Sequence, residues 1–375
     1  MKAFLTIARI IVGVLFIFSG LVKANDPLGL SYKMQEFFEV WGWHGLHDLT
    51  LMFSIVMIGF EIIAGVAVLL GWQMKLFSWL LLLLIIFFTF LTGYAVFSGK
   101  IKECGCFGNC IPLTAMQSFL KDLLLLLLIG FIFAFKHRIR PALNFRNTIL
   151  VLFFSTVFSF AFQWFVLAHL PVVDCLPYKK GKNISQEMKI PAGARPDSTV
   201  ITFVYEVGGK ETEFTADAFP DDFDDTRYKF VKRYDKLIRK GNAEAPIKDF
   251  GLQTVYGNDT TQAILTRPGY TLMLFVLNDY KQRDWNNALE AVMKAAGTKN
   301  IEGFLVTSIA IDALRANAPS AFHQFTPLLC DATAIKTAAR ANPTLYLLKE
   351  GVIVDKWSYA DFDRALKTVQ ELPAP

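Results

Sequence analysis

The sequence predicts an α-helical membrane bundle followed by an α/β domain outside the membrane. Three observations predict it. Hydrophobic residues make up 53% of the 375 residues and charged residues only 19%. Most of that apolar excess lies before residue 170, in long runs separated by short polar gaps. From Pro246 onward, short apolar runs alternate with amphipathic stretches, the pattern of strands and helices in one layered domain.

Five runs are long enough to cross a hydrocarbon core, which takes about 20 apolar residues as a helix: Phe4 to Val22, Leu49 to Trp72, Leu76 to Phe97, Ala115 to Phe135 and Thr148 to His169. Lipid offers no partners for backbone N–H and C=O groups, so each run must satisfy its own and is read as a helix. The first exceeds the apolar region of a cleaved signal peptide, about 7–15 residues, and is read as retained. Basic residues are held on the cytoplasmic side. Lys2 and Arg9, Lys75, and Lys136, Arg138, Arg140 and Arg146 mark three regions without acidic residues, whereas residues 23 to 48 carry mixed charge. This places the N-terminus inside. Five crossings then place the gap around residue 105 and everything after His169 outside, in the periplasm of a Gram-negative host. That compartment permits disulfides. The net charge of +5 follows largely from this topology, and no basic stripe interleaved with aromatics suggests nucleic acid. Membrane lipid and a periplasmic protein are the expected partners, in a bacterial inner membrane.

Beyond the fifth helix, Pro171 to Ile190 reads as an irregular exit segment. Val200 to Val207, Gly208-Gly209 and Lys210 to Thr215 form a hairpin pattern, followed by an acidic stretch and a charged helix expected over Tyr228 to Arg239. Tyr270 to Leu277 is a continuous apolar run that fits a buried strand. A helix is expected over Asp284 to Ala296 with Asp284 as its cap, then a strand over Gly303 to Ala310 and a helix over Ala332 to Arg340. A hairpin of Thr344 to Leu348 and Val352 to Trp357, and a helix over Asp361 to Leu372, close the chain. The expected organisation is a four-helix bundle over 1–140, a fifth crossing over 141–170, a linker over 171–245 and an α/β domain over 246–375.

Three of the five cysteines fall in Cys104-Gly-Cys-Phe-Gly-Asn-Cys110, in the gap between the third and fourth runs. Cys104, Cys106, Cys110 and Cys175 all lie at the outer ends of helices, where thiol–disulfide exchange requires an accessible thiolate and a loop that permits close approach. Lys100 and Lys102 favour thiolate, and Glu103 partly opposes them. A Cys104–Cys106 disulfide closes a small strained ring, so Cys110 or Cys106 with Cys175 is the easier pairing. Exchange, static disulfides and metal binding all remain open at this point. No metal site is assigned: Cys104, Cys106 and Cys110 with His44 and His47 suit zinc or copper(I), yet those histidines, beside Trp41 and Trp43, read better as an interfacial belt. Ionisable groups inside a membrane default to functional candidates. Glu61 and Arg9 are read as a structural pair or a proton path, and Asp122, nearest in depth to the cysteines, as a proton acceptor in thiol oxidation. Cys330 is read as a buried structural thiol.

Residues Arg9, Gly13, Phe16, Ser19-Gly20, Lys23, Glu61, Gly65 and Cys104-Gly-Cys-Phe-Gly108 resemble the DoxX and MauE families of small helical-bundle membrane proteins, over roughly residues 1 to 140. The exit sequence Leu170 to Gly181, joined to the C-terminal domain, resembles the long DoxX-type proteins of Bacteroidetes. That domain in turn is similar to membrane-anchored thioredoxin-like domains, on Pro246-Ile-Lys-Asp-Phe250 and Asn342-Pro343-Thr344, where such domains place a cis-proline beside the active site. The thioredoxin-like Cys-x-x-Cys is missing: Asn278-Asp-Tyr-Lys281 stands in its place. MauE is implicated in maturing a disulfide-rich periplasmic enzyme alongside a separate thioredoxin-like partner, so the resemblance implies a fusion of both parts. The function expected is thiol–disulfide exchange or envelope protein maturation through Cys104, Cys106, Cys110, Cys175 and Asp122, which would make the chain a thiol–disulfide oxidoreductase. The cofactor is unspecified; a membrane quinone is the candidate acceptor, and no residue specifies it. The alternatives are a non-catalytic scaffold with structural disulfides and a partner-binding thioredoxin-like domain, and periplasmic metal handling.

Overall fold

A computed structural model describes residues 2–99, 101, 105, 107–196, 198–216, 218–220, 223–224, 226–239, 241, 243–277, 285–310, 313–314 and 318–373. The membrane half contains α1 (Lys2–Ala24), α2 (Pro27–Trp41), α3 (Thr50–Leu70), α4 (Met74–Ser98), α5 (Ala115–Ala134) and α6 (Phe145–His169). Five of these, all but α2, are long and apolar enough to cross a membrane, as the apolar runs predict. Helix α1 packs on α3 and α4 on α5, with α6 against α3.

The α1–α3 crossing depends on small residues. A Cβ on Gly13 would lie 2.5 Å from Leu69 Cγ, and one on Gly65 2.9 Å from the Gly13 carbonyl. Glycine at both positions lets the backbones approach, since between lipid-embedded helices packing rather than hydrophobic transfer drives association. At the end carrying the basic connections, Arg9 donates to the carbonyls of Val68 (3.2 Å) and Leu69 (2.9 Å), the last turn of α3. Carbonyls in the last turn lack their usual amide four residues on, Val68 accepting instead from Gly71 N at 3.1 Å, and a cation there also complements the helix dipole. Arg9 therefore caps a helix and does not pair with Glu61.

Helix α2 lies within the span 23–48, which the sequence reading treated as a connection. Asp26 caps it by accepting from Gly29 N at 2.9 Å, Pro27 occupies its first turn and Gly42 ends it in the left-handed conformation.

Past α6 come α7 (Ile184–Glu187) and a three-stranded antiparallel sheet of β1 (Ser198–Val207), β2 (Lys210–Thr215) and β3 (Tyr228–Arg239), in the order β2-β1-β3. The hairpin is as expected, but Tyr228–Arg239 is a strand where a charged helix was predicted. The physical reason is pairing. Strand β1 has a second open edge, and β3 fills it, setting Phe230 opposite Tyr205 with ring centres 5.7 Å apart. Cross-strand aromatic pairs stabilise a sheet by about 0.2–1 kcal/mol each.

The C-terminal domain adds α8 (Thr261–Leu265), β4 (Tyr270–Val276), α9 (Trp285–Gly297), β5 (Glu302–Thr307), β6 (Thr326–Leu329), α10 (Ala332–Ala338), β7 (Thr344–Lys349), β8 (Val352–Ser358) and α11 (Phe362–Glu371). Its five-stranded sheet runs β6-β5-β4-β7-β8, parallel from β6 to β4 and antiparallel from β4 to β8. Both faces of β4 are covered: Met273 and Phe275 enter one core, Leu272, Leu274 and Val276 the other, and all five are fully buried. A strand with two buried faces has no polar alternation, which is why it reads as one apolar run. The Asn342–Pro343 peptide is cis, as the thioredoxin-like resemblance implied. Asn278 to Lys281 and the expected cap Asp284 lie outside the described residues.

The exit segment is more ordered than its prolines suggest. Tyr178 and Ile184 are buried in the domain core, and Gly181 N donates to Ile353 O and Ile184 N to Gly351 O beside β8. Residues 178–184 thus pack against the core of the C-terminal domain.

Candidate functional site

The site lies where the membrane helices meet the C-terminal domain. Of the cysteine loop, Gly105 and Phe107 to Cys110 are described, whereas Cys104 and Cys106 lie outside the described residues. Gly108 N donates to Gly105 O at 3.0 Å, closing a tight turn with Gly105 at φ +68°. That conformation favours glycine, and a Cβ on Gly105 would also lie 3.2 Å from Cγ of Lys33. Phe107 anchors the turn to the bundle, its ring 5.8 Å from that of Phe18 and under the Lys121 ammonium at 5.2 Å. The loop ends at Thr114, which caps α5 through a reciprocal box with Gln117.

Cys110 is bonded to Cys175, with Cα atoms 4.8 Å apart. One of the two pairings expected to be sterically easier is therefore present. It also removes Cys110 from any thiolate metal set. No group of three or more His, Cys, Asp or Glu suited to a metal occurs among the described residues, and the His44 and His47 rings stand 5.8 Å apart.

Other contacts fix the same junction. Asn25 clasps Val173 through both main-chain groups, at 2.8 and 2.9 Å. Asp26, besides capping α2, accepts from Arg340 Nε at 2.9 Å, and Arg340 and Lys336 both lie over the Tyr32 ring. The Asp26–Arg340 pair is largely buried, at 13% and 6% side-chain exposure. His169 at the end of α6 meets Asp361 before α11 at 3.0 Å. Lys356 meets Asp174 at 2.6 Å, and burial pulls its ammonium below the usual lysine range while Asp174 partly restores it.

Two unlike spaces lie near the cysteine loop, one lined by Cys175 and the other by Phe107. On the domain side is an open cleft of about 720 Å³, lined by Cys175, Asn109, Lys33, Lys179, Lys182 and Arg340 among others. On the bundle side is a pocket of about 30 Å³, lined by Ser19, Lys23, Glu61, Phe88, Phe107, Lys121 and Asp122. A space of that size suits one water with several polar partners. Lys23 Nζ is 2.5 Å from Glu61 Oε1, Ser19 donates to Glu61 Oε2 at 3.2 Å, and the two charged side chains are 3% and 2% exposed. Lys121 Nζ is 2.7 Å from Asp122 Oδ1, and Thr92 donates to Asp122 Oδ2 at 3.1 Å. Asp122 thus lines the same pocket as Phe107 of the cysteine loop. Lys23, Ser19, Thr92 and Lys121 were not singled out as site residues. The spacing of Ser19 and Lys23, four apart on α1, is the sequence signal that both face one neighbour.

Cys330 is buried beside Asp331, and its thiol is pushed up to about 11, mainly by desolvation and further by the Asp331 charge. The nucleophile in alkylation is the thiolate. At pH 8 Cys330 should therefore resist iodoacetamide in the native protein and react fully only in denaturant; rapid native labelling, read by mass spectrometry, would contradict its burial.

Residues 1–135 match the family described as methylamine utilisation protein MauE, and residues 199–240 match a domain of unknown function, DUF8463. Protein TlpB of Flavobacterium psychrophilum is 26% identical over 140 residues, covering 36% of this chain and 38% of that protein. The match therefore spans little more than a third of the curated relative. No solved structure matches the chain. The segment similar to the MauE membrane family takes in α1 to α5 and the whole cysteine loop, while Cys175 and the five-stranded domain lie beyond it.

Proposed function

We propose that this membrane protein exchanges thiols and disulfides at the outer face of a bacterial inner membrane, in support of envelope protein maturation. The observation that carries the reading is the disulfide that joins Cys175, on the wall of an open cleft, to Cys110, which follows Cys104 and Cys106 in sequence. A partner thiolate entering the cleft attacks Cys175 Sγ. The S–S bond breaks, a mixed disulfide forms and Cys110 leaves as a thiolate. A second thiol of the partner then displaces Cys175, so the partner is oxidised and Cys110 and Cys175 are reduced. Lys179 lines the cleft and favours the thiolates that each step requires, whereas Lys33 and Lys182 are held by Glu36 and Glu187 of the same lining. Re-oxidation falls to Cys104 and Cys106 of the same loop, with Asp122 accepting a released proton. The C-terminal domain, read as thioredoxin-like without its dithiol, supplies one cleft wall through α10 and Arg340 and holds the partner without reacting with it.

A second reading is favoured by the ties across the junction. Asn25 to Val173, Asp26 to Arg340 and His169 to Asp361 all join the halves that the disulfide joins, as expected of a scaffold whose disulfide is a staple.

Thiol trapping in intact cells separates the two. Exchange predicts a mixture of reduced and oxidised Cys104, Cys106, Cys110 and Cys175 that shifts with the redox state of growth. Complete oxidation that resists added reductant would sink exchange and leave the scaffold. An Asp122→Asn variant should slow re-oxidation while leaving the Cys110–Cys175 bond able to form; unchanged re-oxidation would remove Asp122 from the mechanism.

A further inference from the structure

Cys110 and Cys175 come from segments 65 residues apart in sequence, and both segments are held at one place, the corner Asn25-Asp26 between α1 and α2. Asn25 N donates to Leu21 O at 3.1 Å and Asp26 N to Lys23 O at 3.0 Å, so the corner is bonded onto the last turn of α1, and Pro27 opens α2 directly after it. Asn25 is 6% exposed, and its side-chain amide uses both its donor and its acceptor on one residue, Val173. Val173 stands two residues before Cys175. Asp26 holds the other segment, because its Oδ2 accepts from Asn109 Nδ2 at 3.4 Å and Asn109 immediately precedes Cys110. The turn that leads to Asn109 also rests on α1, where a Cβ on Gly108 would lie 3.7 Å from Val22 Cγ1. A Cβ on Gly29 would lie 2.5 Å from Asp26 Oδ2, so a glycine there leaves the carboxylate its place.

We propose that Asn25 and Asp26 are positioning residues that keep Cys110 and Cys175 side by side when the bond between them is open, and so set the potential at which it opens. The inference rests on the exchange reading above and deepens it. A pair of thiols closes in proportion to the effective concentration of one at the other, which rises when both are held on one fixed element. Neither grip uses a sulfur atom, so opening the bond removes no partner from Asn109 or Val173. The consequence for exchange is a return path. After a partner thiolate has opened the bond, the Cys110 thiolate stays within reach of the mixed disulfide at Cys175. Its attack on Cys175 Sγ re-forms the Cys110–Cys175 bond, breaks the bond between Cys175 and the partner, and releases the partner as a thiolate. A partner without a second thiol is thereby let go unchanged.

The test measures the thiol–disulfide equilibrium of the pair in the full-length protein in lipid nanodiscs, on a Cys104→Ser, Cys106→Ser background so that one pair titrates. The protein is equilibrated in glutathione redox buffers, quenched with acid and alkylated, and the Cys110 and Cys175 peptides are read by mass spectrometry. Asn109→Ala and Asn25→Ala each remove one grip and leave Asp26 as the cap of α2 and the partner of Arg340. The equilibrium constant for closing the pair is expected to fall about two- to threefold in Asn109→Ala, which loses one hydrogen bond, and about tenfold in Asn25→Ala, which loses two. The double variant should exceed tenfold, a shift of more than about 30 mV toward easier reduction. Asn109 is exposed, so its variant decides the matter alone if Asn25→Ala fails to fold. His169→Gln, which alters a junction tie on neither grip, should leave the constant within about twofold of wild type. An unshifted constant in the double variant would overturn positioning by the corner. So would an equal shift in His169→Gln, which would trace the effect to docking of the domain as a whole. Thiol trapping in cells keeps the two readings apart. Constants that shift as expected, in a protein whose Cys110–Cys175 bond never opens in cells, would sink exchange and leave the corner as the positioner of a staple; cycling cysteines with an unshifted constant would overturn the corner alone.

Discussion

Replacing Lys23 with Met is expected to destabilise the bundle by about 3–5 kcal/mol, the range found when one partner of a buried ion pair is removed. Both side chains of the Lys23–Glu61 pair are almost completely buried, and among the described residues the Ser19 hydroxyl would remain as the hydrogen-bond partner of Glu61. The companion variant decides the cause. Lys23→Met with Glu61→Leu removes both charges together and should recover most of the loss, because paired apolar substitutes of similar volume are often neutral or stabilising. Thermal unfolding of the purified protein in detergent reads both. If the double variant is no more stable than the single one, the pair matters for packing and not for charge compensation. The same double variant also separates fold from chemistry. A bundle that melts normally but whose cysteines no longer cycle would place the Lys23–Glu61 pair in the proton path as well as in the core.

That pair shows where sequence reading stops. Glu61 announces itself as a charge in an apolar run, and Arg9 looks like its natural partner. Yet the glycine-mediated crossing of α1 and α3 sets Lys23, 38 positions away in sequence, against Glu61 and sends Arg9 to the carbonyls at the end of α3. Depth and rotation of packed helices decide such pairings, and neither is encoded locally. The crossing helices themselves were legible because lipid demands long uninterrupted apolar runs, and β4 because two buried faces do the same. Helix α2 was missed because its apolar positions Leu30, Met34, Phe37, Phe38 and Trp41 are interleaved with Lys33, Glu36 and Glu39, so a charge count hides the stripe. Strand β3 was misread for the converse reason. Its lysines and arginines resemble a solvated helix, but its membership of a sheet depends on an edge of β1 some 25 residues earlier in sequence. The cysteine pairing was half legible: topology put Cys106, Cys110 and Cys175 in one layer, and the structure joins Cys110 to Cys175.

Cys175→Ser should loosen the C-terminal domain from the bundle, by an amount that tells what the disulfide is for. Closing a loop of 65 residues restricts a flexible chain by up to about 4 kcal/mol. Here α5 and α6 already order much of that loop, so about 2 kcal/mol is the better expectation, near a thirtyfold shift toward undocking. The remaining ties at Asn25, Asp26 and His169 should keep the domain docked most of the time. Adding Arg340→Ala removes the buried partner of Asp26 and should release it further. Hydrogen exchange across residues 170–184 and α2 in the intact protein reads each step, with rising exchange at the junction and unchanged exchange in β4 and β5. Were Cys175→Ser to leave the junction as protected as wild type, the disulfide would add nothing to docking and the staple would fail as its reason to exist. A large rise shared by both variants would instead show the bond holding the cleft's two walls in register. In that case each opening of the bond by a partner thiol would also loosen the cleft, and chemistry at Cys175 would be coupled to release of the partner.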